Sequence, residues 1–420
     1  MITINDESLI PENINATLSE EISDFVYLYD HRRLLIDPHQ IPLRIDKYLM
    51  DRVADISRNK IQNAIKTGAV MVNDKHVKAN YKVRPGDELY LIVPRPDPDY
   101  KGKSLPENIP LNIIFEDDDI IVLNKPAGLV VHPGNGNPNG TLINGLLYYM
   151  QDKMLPVLQG NTADRPGLVH RIDKNTSGLM VVAKNEYSLS NLARQFYNHT
   201  TRREYYALVW GEPEVDKGTI VAKIGRDPFN HKNIRVFEDS EEGGKHAVTH
   251  FEVIEKFYYV TLIKCRLETG RTHQIRIHMG HLGHPLFNDG RYGGHHILKG
   301  TIYGKYRQFV FDCFKTIDRH ALHAKTLGFV HPRTEQEIFF ESELPEDFTQ
   351  ALEKWRNYIA MRKDGMNKKA FTEEEKLAEI ESALKQTKGS VTTEADIIQH
   401  QKIDIDEDSE MEHNEDVWDE

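Results

Sequence analysis

Short apolar runs, many with alternating polar positions, fill the chain between residue 111 and about residue 342. Runs of this length are typical of strands, because every second side chain of a strand faces the same side of its sheet. One longer stretch, EYSLSNLARQFYN, has the spacing of a helix instead. Strands that outnumber helices predict an α+β domain built on a mixed, mainly antiparallel sheet. The clearest strand-like runs are IIVLNK, LMVVAK, YYALVWG, HFEVIEKF and YVTLIKCRLE.

Residues 41–95, called here the basic module, have a compact pattern of their own. One predicted helix carries Ile45, Leu49 and Val53 at intervals of four, and a second begins after Ser57, a residue suited to cap it. The runs AVMVND and DELYLIVP are typical of strands, and a Pro-Gly turn signal stands between them. The pattern predicts a small α/β module ahead of the larger domain.

Composition divides the rest of the chain. Residues 1–40 have no clear period and form an N-terminal extension, and residues 96–110 are a proline-rich linker expected to be extended and exposed. Residues 111–345 form the large domain. Residues 346–420 are expected to be helical at first and to end as an acidic, disordered tail.

The net charge of −12 is concentrated at the chain ends. Residues 401–420 hold ten acidic residues against one lysine, and residues 1–40 hold eight against two arginines. The basic module, in contrast, holds eleven lysines and arginines against six acidic residues. This local excess is the footprint of contact with a polyanion, although a solvated charged face explains it equally well.

Three features indicate a protein of the reducing cytoplasm that does not enter a membrane. Cys265 and Cys313 are the only cysteines, and each lies in an apolar, strand-like stretch, which makes a disulfide framework improbable. No apolar run reaches the roughly 18 residues that span a bilayer. The acidic N-terminus lacks the order of a secretory signal.

A polar loop crowded with reactive groups interrupts the segment GLVHRIDKNTSGLMVVAK, residues 167–184. His170, Arg171 and Asp173 stand in this loop, directly before a strand-like run. Dense polarity at the mouth of a strand is where a scaffold places working groups. A well-capped turn, with Asp173 bonded to local amides, fits the same residues.

A second polar segment, ETGRTHQIRIHMGHLGHPLFND, holds five donors within eight residues and almost no acid nearby. These donors favour an anion or nucleic-acid surface. If the run is a strand, Gln274, Arg276 and His278 share one face, whereas a helix would scatter them. A metal site is the rival interpretation, but no cysteine or carboxylate pair stands at ligand spacing.

Three further segments have mixed signals. RHALHAKTLGFVHP pairs histidines with a basic residue beside a strand, and LNKPAGLVVHPGNGN has a rigid turn followed by a glycine-rich loop. That loop lacks the order of a phosphate-binding loop, so we expect no nucleotide cofactor. In RREYYALVWG, Tyr205 fits either a core position or an aromatic platform for a base.

Together these segments resemble the RluA-type RNA pseudouridine synthases, most closely their RluD-like branch, which acts on large-subunit ribosomal RNA. HRIDKNTSGL resembles the central motif of that family, and LNKPAGLVVHP and TGRTHQIRIHM with GHP resemble the motifs on either side. RREYYALVWG, KHAVTHFEV and RHALHAKTLGFVHP fill the remaining motifs in the family's order. The basic module looks like the S-four-like RNA-binding domain that these enzymes often carry.

The resemblance implies a role for each matching residue. Asp173 matches the catalytic aspartate, Tyr205 the tyrosine that packs on the target base, and Arg276 the arginine that pairs with the aspartate. Arg171 matches the residue that fills the gap left by a flipped nucleotide. Further RNA contacts are expected from His170, Arg171, Arg271, His273 and Gln274 in the large domain and from Arg44, Lys47, Arg58, Lys60 and Lys66 in the basic module.

The sequence therefore predicts a monomeric, cytoplasmic enzyme that converts uridine to pseudouridine in structured RNA, with ribosomal RNA as the expected target. The reaction is an isomerisation without redox change, so we expect neither cofactor nor metal. A transfer-RNA target remains an alternative, and so does a non-catalytic RNA-binding protein. A zinc-dependent base deaminase is disfavoured because its PCxxC ligands are missing. Whether Asp173 acts as nucleophile, base or stabiliser of a sugar cation stays open.

Overall fold

The computed structural model describes residues 28–52, 57–94, 104–134, 136–151, 155–156, 166–228, 234–238 and 240–362. The chain divides into two compact units, Met1–Trp355 and Arg356–Glu420. The second unit is described only for residues 356–362, which are helical. In the described part of the chain, no helix combines the length and the apolar character needed to cross a bilayer.

The basic module folds as a three-stranded sheet with two helices. Strands β1 (Tyr29–Leu35), β5 (Glu88–Pro94) and β3 (Val70–Val72) form the sheet, and β2 (Leu43–Arg44) pairs with β4 (Lys82–Val83). Helix α1 spans Ile45–Met50 and helix α2 spans Arg58–Lys66. The Ser57 side chain accepts a hydrogen bond from the Lys60 amide and caps α2, as predicted. Val53 lies outside the described residues.

Both faces of this small sheet are apolar. On β3 and β5, Val72 and Leu89 face α1 and α2, while Met71 and Tyr90 belong to the main hydrophobic core of the large domain. This alternation follows from the two-residue period of a strand. Strand β1 comes from residues 1–40, which the sequence analysis assigned to an extension; the polar run DHRR conceals its strand pattern.

The large domain is built on a ten-stranded sheet in the order β11-β10-β12-β13-β9-β14-β8-β7-β6, with β15 paired to β14. Every pairing is antiparallel except β14 with β8, which confirms the predicted α+β class. The strands are β6 (Ile113–Glu116), β7 (Ile120–Lys125), β8 (Ser177–Ala183), β9 (Arg202–Trp210), β10 (Lys217–Arg226), β11 (Ile234–Phe237), β12 (Lys245–Lys256), β13 (Val260–Leu267), β14 (Leu322–Val330) and β15 (Glu337–Glu341). The helices are α3 (Leu142–Met150), α4 (Glu186–Tyr197), α5 (Gln274–His281), α6 (Gly304–Thr316) and α7 (residues 346–362).

Helix α4 joins the basic module to the large domain. The Tyr29 hydroxyl donates to the Leu168 carbonyl over 3.0 Å, and the rings of His31 and Tyr197 stack with centroids 4.0 Å apart. On the other side of α4, Phe196 stacks on His170 with centroids 4.3 Å apart. The module therefore packs directly behind the strand-to-loop segment that carries Asp173.

The structure decides one alternative that the sequence left open and corrects two local predictions. Gln274–His281 is helix α5 and not a strand; Gln274 through Met279 are all buried, and burial on all sides removes the period by which a helix is recognised. Cys313 lies in helix α6, although Cys265 is in a strand as predicted. Residues 96–103 of the predicted linker lie outside the described residues; within 104–110, Ser104 is buried, contrary to prediction, and the Asn144 side chain donates to the Leu105 carbonyl.

Candidate active site

One cleft in the large domain collects most of the predicted site residues. It is a small open cleft of about 60 Å³ between the polar loop before β8, strand β9, the end of β13 and the start of α5. The lining residues are Arg171, Ile172, Asp173, Thr176, Arg203, Tyr205, Leu267, Gly270, Arg271, His273, Gln274, Ile275, Arg276 and Leu322.

Asp173 is the acidic residue that lines the cleft, and its side chain is 22% exposed. The Arg276 Nη1 atom donates to Asp173 Oδ2 over 3.1 Å. Burial alone would raise the pKa of Asp173, but His273, Arg276 and His320 lower it to about 2. Burial also lowers the pKa values of His273 and His320, to about 4 and about 3. Both rings are then uncharged at neutral pH, so the Arg276 guanidinium is the cation that keeps Asp173 ionised.

Arg276 is held in place by a second carboxylate, Asp289. Its Nε and Nη2 atoms donate to the two Asp289 oxygens over 2.7 and 2.9 Å, and Asp289 is fully buried. Asp289 also accepts from the backbone N–H groups of Arg291 and Tyr292. The Tyr292 ring lies under the Arg276 guanidinium, and its hydroxyl is hydrogen-bonded to His273 over 2.7 Å. A fixed arginine of this kind fixes the position of the carboxylate that it contacts.

Sequence reasoning missed Asp289 and Tyr292. The segment was described as nearly free of acid, yet Asp289 ends the run GHPLFND and neutralises its most buried arginine. A buried arginine requires a counterion. For Arg276, the next carboxylate along the chain is Asp289, and this is the signal by which the sequence could have identified it.

Each residue of the loop after Asp173 is hydrogen-bonded to a buried side chain of the large domain. The fully buried Lys125 ammonium donates to the Lys174 carbonyl over 3.0 Å, and the Arg319 guanidinium donates to the Asn175 carbonyl over 3.0 Å. The side chains of Thr176 and Ser177 are hydrogen-bonded to His320 and His323, each over 2.9 Å. The loop therefore presents Asp173 from a rigid support, which is what a positioned catalytic group requires.

Tyr205 projects from β9 into the cleft and is 7% exposed. Burial raises the pKa of its phenol, so the side chain is neutral at physiological pH. Its neighbours in the sheet are Cys265 on β13 and Ala324 on β14, two small residues that leave the ring room. A neutral ring at the floor of a polar cleft suits packing against a base.

The predicted RNA contacts of the large domain differ in their access to the cleft. Arg171, Arg271 and His273 line it. Gln274 also lines it, but its amide oxygen accepts from Thr269 and the Arg271 amide, and its nitrogen donates to Val248 and Thr249. These four bonds use the full capacity of an amide side chain, so Gln274 holds β12 to the cleft wall rather than binding RNA.

His170 is a correction to the predicted RNA contacts. It is 3% exposed, stacks on Phe196 and accepts a hydrogen bond from the Val181 amide through Nε2. Because neighbouring residues of an extended segment point in opposite directions, His170 lies behind the cleft where Arg171 faces it. We therefore leave His170 out of the RNA interface.

In the basic module, Lys47, Lys60 and Lys66 are exposed. Arg44 and Arg58 both donate to the fully buried Asp46, over 2.9 and 3.0 Å. Their charges are thus partly committed to holding α1 and α2 together. The three lysines are the better candidates for contact with phosphate.

One cluster of possible metal ligands lies outside the segment for which the metal alternative was raised. Among the described residues, Asp117, Asp119 and His331 bring three possible ligand atoms together. However, His331 Nδ1 accepts from the backbone N–H groups of Arg333 and Thr334, so Nε2 carries the proton and donates to Asp117 over 2.8 Å. Neither ring nitrogen keeps a lone pair for a metal, and the cluster is a hydrogen-bond network.

Comparisons with known proteins identify the relatives of this chain. The family described as RNA pseudouridylate synthase matches residues 119–281, and the S4 domain matches residues 43–89. An uncharacterized RNA pseudouridine synthase, YlyB, from Bacillus subtilis is 46% identical over 74% of this chain and 94% of that protein. Ribosomal large subunit pseudouridine synthase D from Zymomonas mobilis is 38% identical over 75% of this chain and 94% of that protein. The solved structure titled human RNA pseudouridylate synthase domain containing 4 is 23% identical, with a TM-score of 0.44, and covers 58% of this chain and 93% of its own.

Proposed function

The chain belongs to the RNA pseudouridylate synthase family and converts uridine to pseudouridine in RNA, and we propose that it does so in large-subunit ribosomal RNA with Asp173 as the catalytic residue. The observation that carries the assignment is the ionised Asp173 carboxylate, held in the cleft by Arg276. The name of the Zymomonas relative supports the ribosomal target. We further propose a monomeric enzyme in the cytoplasm, which the two free, buried cysteines support.

The proposed mechanism begins with extrusion of the uridine from its stack, which costs a few kcal/mol. Arg171 at the cleft mouth fills the gap, and Tyr205 packs on the extruded base. The bond between ribose carbon 1′ and uracil N1 then breaks, the base turns, and a bond forms between carbon 1′ and uracil carbon 5. Carbon 5 loses a proton and N1 gains one, so the atoms balance without a redox step.

Asp173 has three possible parts in that sequence. It attacks carbon 1′, removes a proton, or stabilises a sugar cation, and each part requires the carboxylate to be ionised at neutral pH. The pKa of about 2 meets this requirement.

The target is tested by mapping pseudouridine in total RNA from cells with and without this protein. We expect specific uridines of large-subunit ribosomal RNA to lose the modification, and purified protein to restore it on unmodified transcripts. Loss of pseudouridine only from transfer RNA would show that transfer RNA is the substrate instead.

The contribution of the basic module is tested by replacing Lys47, Lys60 and Lys66 with alanine. Each phosphate contact contributes about 0.9 to the slope of log affinity against log salt on duplex nucleic acid, so the slope should fall by roughly 2 to 3. Binding isotherms over a salt series measure this. The charge-matched control replaces three exposed lysines of the large domain with alanine: Lys217, Lys305 and Lys315. Equal slopes for the two triple variants would contradict a role of the module in RNA contact.

A further inference from the structure

Arg203 is an arginine of the cleft to which the proposed mechanism assigns no role. It stands two residues before Tyr205 on β9, so the two side chains share one face of the sheet. Arg203 is 6% exposed and lines the same cleft as Asp173. Its neighbour Arg202 points to the opposite side, where its side chain is 72% exposed and pairs with Glu337.

The buried donors of Arg203 differ from those of two other buried arginines, Arg276 and Arg319. Its Nε and Nη2 atoms have no hydrogen-bond acceptor within reach among the described residues. Arg276, in contrast, donates to both Asp289 and Asp173, and Arg319 donates to Asp347. The guanidinium of Arg203 instead lies over the Phe196 ring, 5.2 Å from its centroid.

A buried guanidinium without a counterion is costly, because burial removes its hydration and nothing replaces it. The cleft does not supply the counterion, since four arginines but only Asp173 among acidic residues line it, and Arg276 pairs with Asp173. Gly270 also leaves room beside Arg203: a Cβ atom there would lie 3.5 Å from Nη1. The Arg203 side chain therefore lines the cleft without a carboxylate partner among the described residues.

We propose that Arg203 binds a phosphate of the RNA backbone next to the extruded uridine. This inference rests on the proposed function, in which Tyr205 packs on the base. Residues two apart on a strand are separated by about 7 Å, a spacing comparable with that between the base and the phosphate of one nucleotide. The planar guanidinium carries its donors in a fixed fork, which can bind two phosphate oxygens at once. Arg203 thus supplies the anchor that sets how deeply the nucleotide enters the cleft.

The test compares an all-phosphate RNA hairpin with hairpins in which one phosphate flanking the target uridine is an uncharged methylphosphonate. For the wild-type protein, neutralising the contacted phosphate should raise KM about ten- to hundredfold, the usual effect of losing a hydrogen bond to a charged group. In Arg203→Met, KM should already be raised by that amount, kcat should stay within about twofold, and neutralisation should have no further effect. Arg203→Lys should restore part of the loss, and Arg202→Met is the matched control.

The unfolding temperature of Arg203→Met distinguishes a phosphate-binding role of Arg203 from a structural one, because the two roles predict changes of opposite sign. Without RNA, Arg203→Met should unfold at a higher temperature than wild type, because it removes an unpaired buried charge. Inorganic sulfate should raise the unfolding temperature of the wild type more than that of Arg203→Met, since an anion that binds only the folded state stabilises it. Neither measurement depends on catalysis, so both remain informative if the substrate assignment fails.

Two results would overturn the inference. One is a wild-type KM that is unchanged by methylphosphonate at either flanking position, a measurement that needs no variant. The other is an Arg203→Met protein that unfolds at a lower temperature and loses kcat equally on every hairpin, which would make Arg203 a structural residue of β9.

Discussion

Replacing Asp173 with asparagine should abolish pseudouridine formation while leaving the fold and the RNA affinity nearly unchanged. The amide has the shape of the carboxylate but cannot attack carbon 1′, accept a proton or carry the charge that stabilises a sugar cation. Loss of general-base function alone costs about 10²- to 10⁴-fold, and a nucleophilic role would cost more. Single-turnover conversion of a radiolabelled hairpin, measured beside a binding isotherm, separates chemistry from affinity.

The matched control is Asp118→Asn, which alters an exposed carboxylate of the same domain. It should retain wild-type conversion, and both variants should unfold at temperatures close to that of the wild type. A folded Asp173→Asn protein that converts uridine within about tenfold of the wild-type rate would remove Asp173 from the mechanism, because that is less than the loss of a general base costs.

The second large effect is expected from Arg276→Met. Without the guanidinium, burial is the dominant influence on Asp173 and raises its pKa from about 2. The carboxylate is active when ionised, so the acidic limb of the kcat/KM profile should move to higher pH, and activity at neutral pH should fall about 10²- to 10³-fold, as when a buried charge pair loses one partner. In the wild type, Asp173 should impose no decline until the pH approaches the stability limit of the protein.

Because Arg276→Met also leaves the buried Asp289 unpaired, its unfolding temperature must be measured beside its rate. The double variant Arg276→Met with Asp289→Asn removes the unpaired buried carboxylate. It should show the same shift of the acidic limb to higher pH. Arg291→Met, an exposed arginine in the same segment, is the control. An unshifted pH profile in the folded double variant would show that Arg276 does not maintain the ionisation of Asp173.

The sequence alone brought Asp173, Tyr205 and Arg276 into one site only through the resemblance, since these residues are far apart along the chain and no local pattern joins them. Local rules worked where one physical requirement dominates, as at the Ser57 cap. They could not decide between strand and helix at α5, where burial on every side hides the helical period. They also could not identify Asp289 as the partner of Arg276, because that pairing depends on a turn after α5 rather than on spacing.

The alternation of side chains along an extended segment predicts further residues of the cleft. Once Tyr205 is assigned to the cleft, the same rule directs Arg203 toward it and Arg202 away from it, as the structure shows. Applied to the segment before Asp173, the rule separates His170 from Arg171. What it cannot give is the pairing state of Arg203, which depends on acceptors contributed by the whole fold.

The two-faced sheet of the basic module makes the halves of this enzyme dependent on each other. Excising residues 1–95 would uncover the surface of α4 beside Tyr197, and the released fragment would present Met71 and Tyr90 to water. Exposed apolar surface of that kind promotes self-association. A substitution at the contact between β1, β3, β5 and α4 therefore affects both parts of the chain, whereas a substitution on a surface away from it affects only the part that carries it.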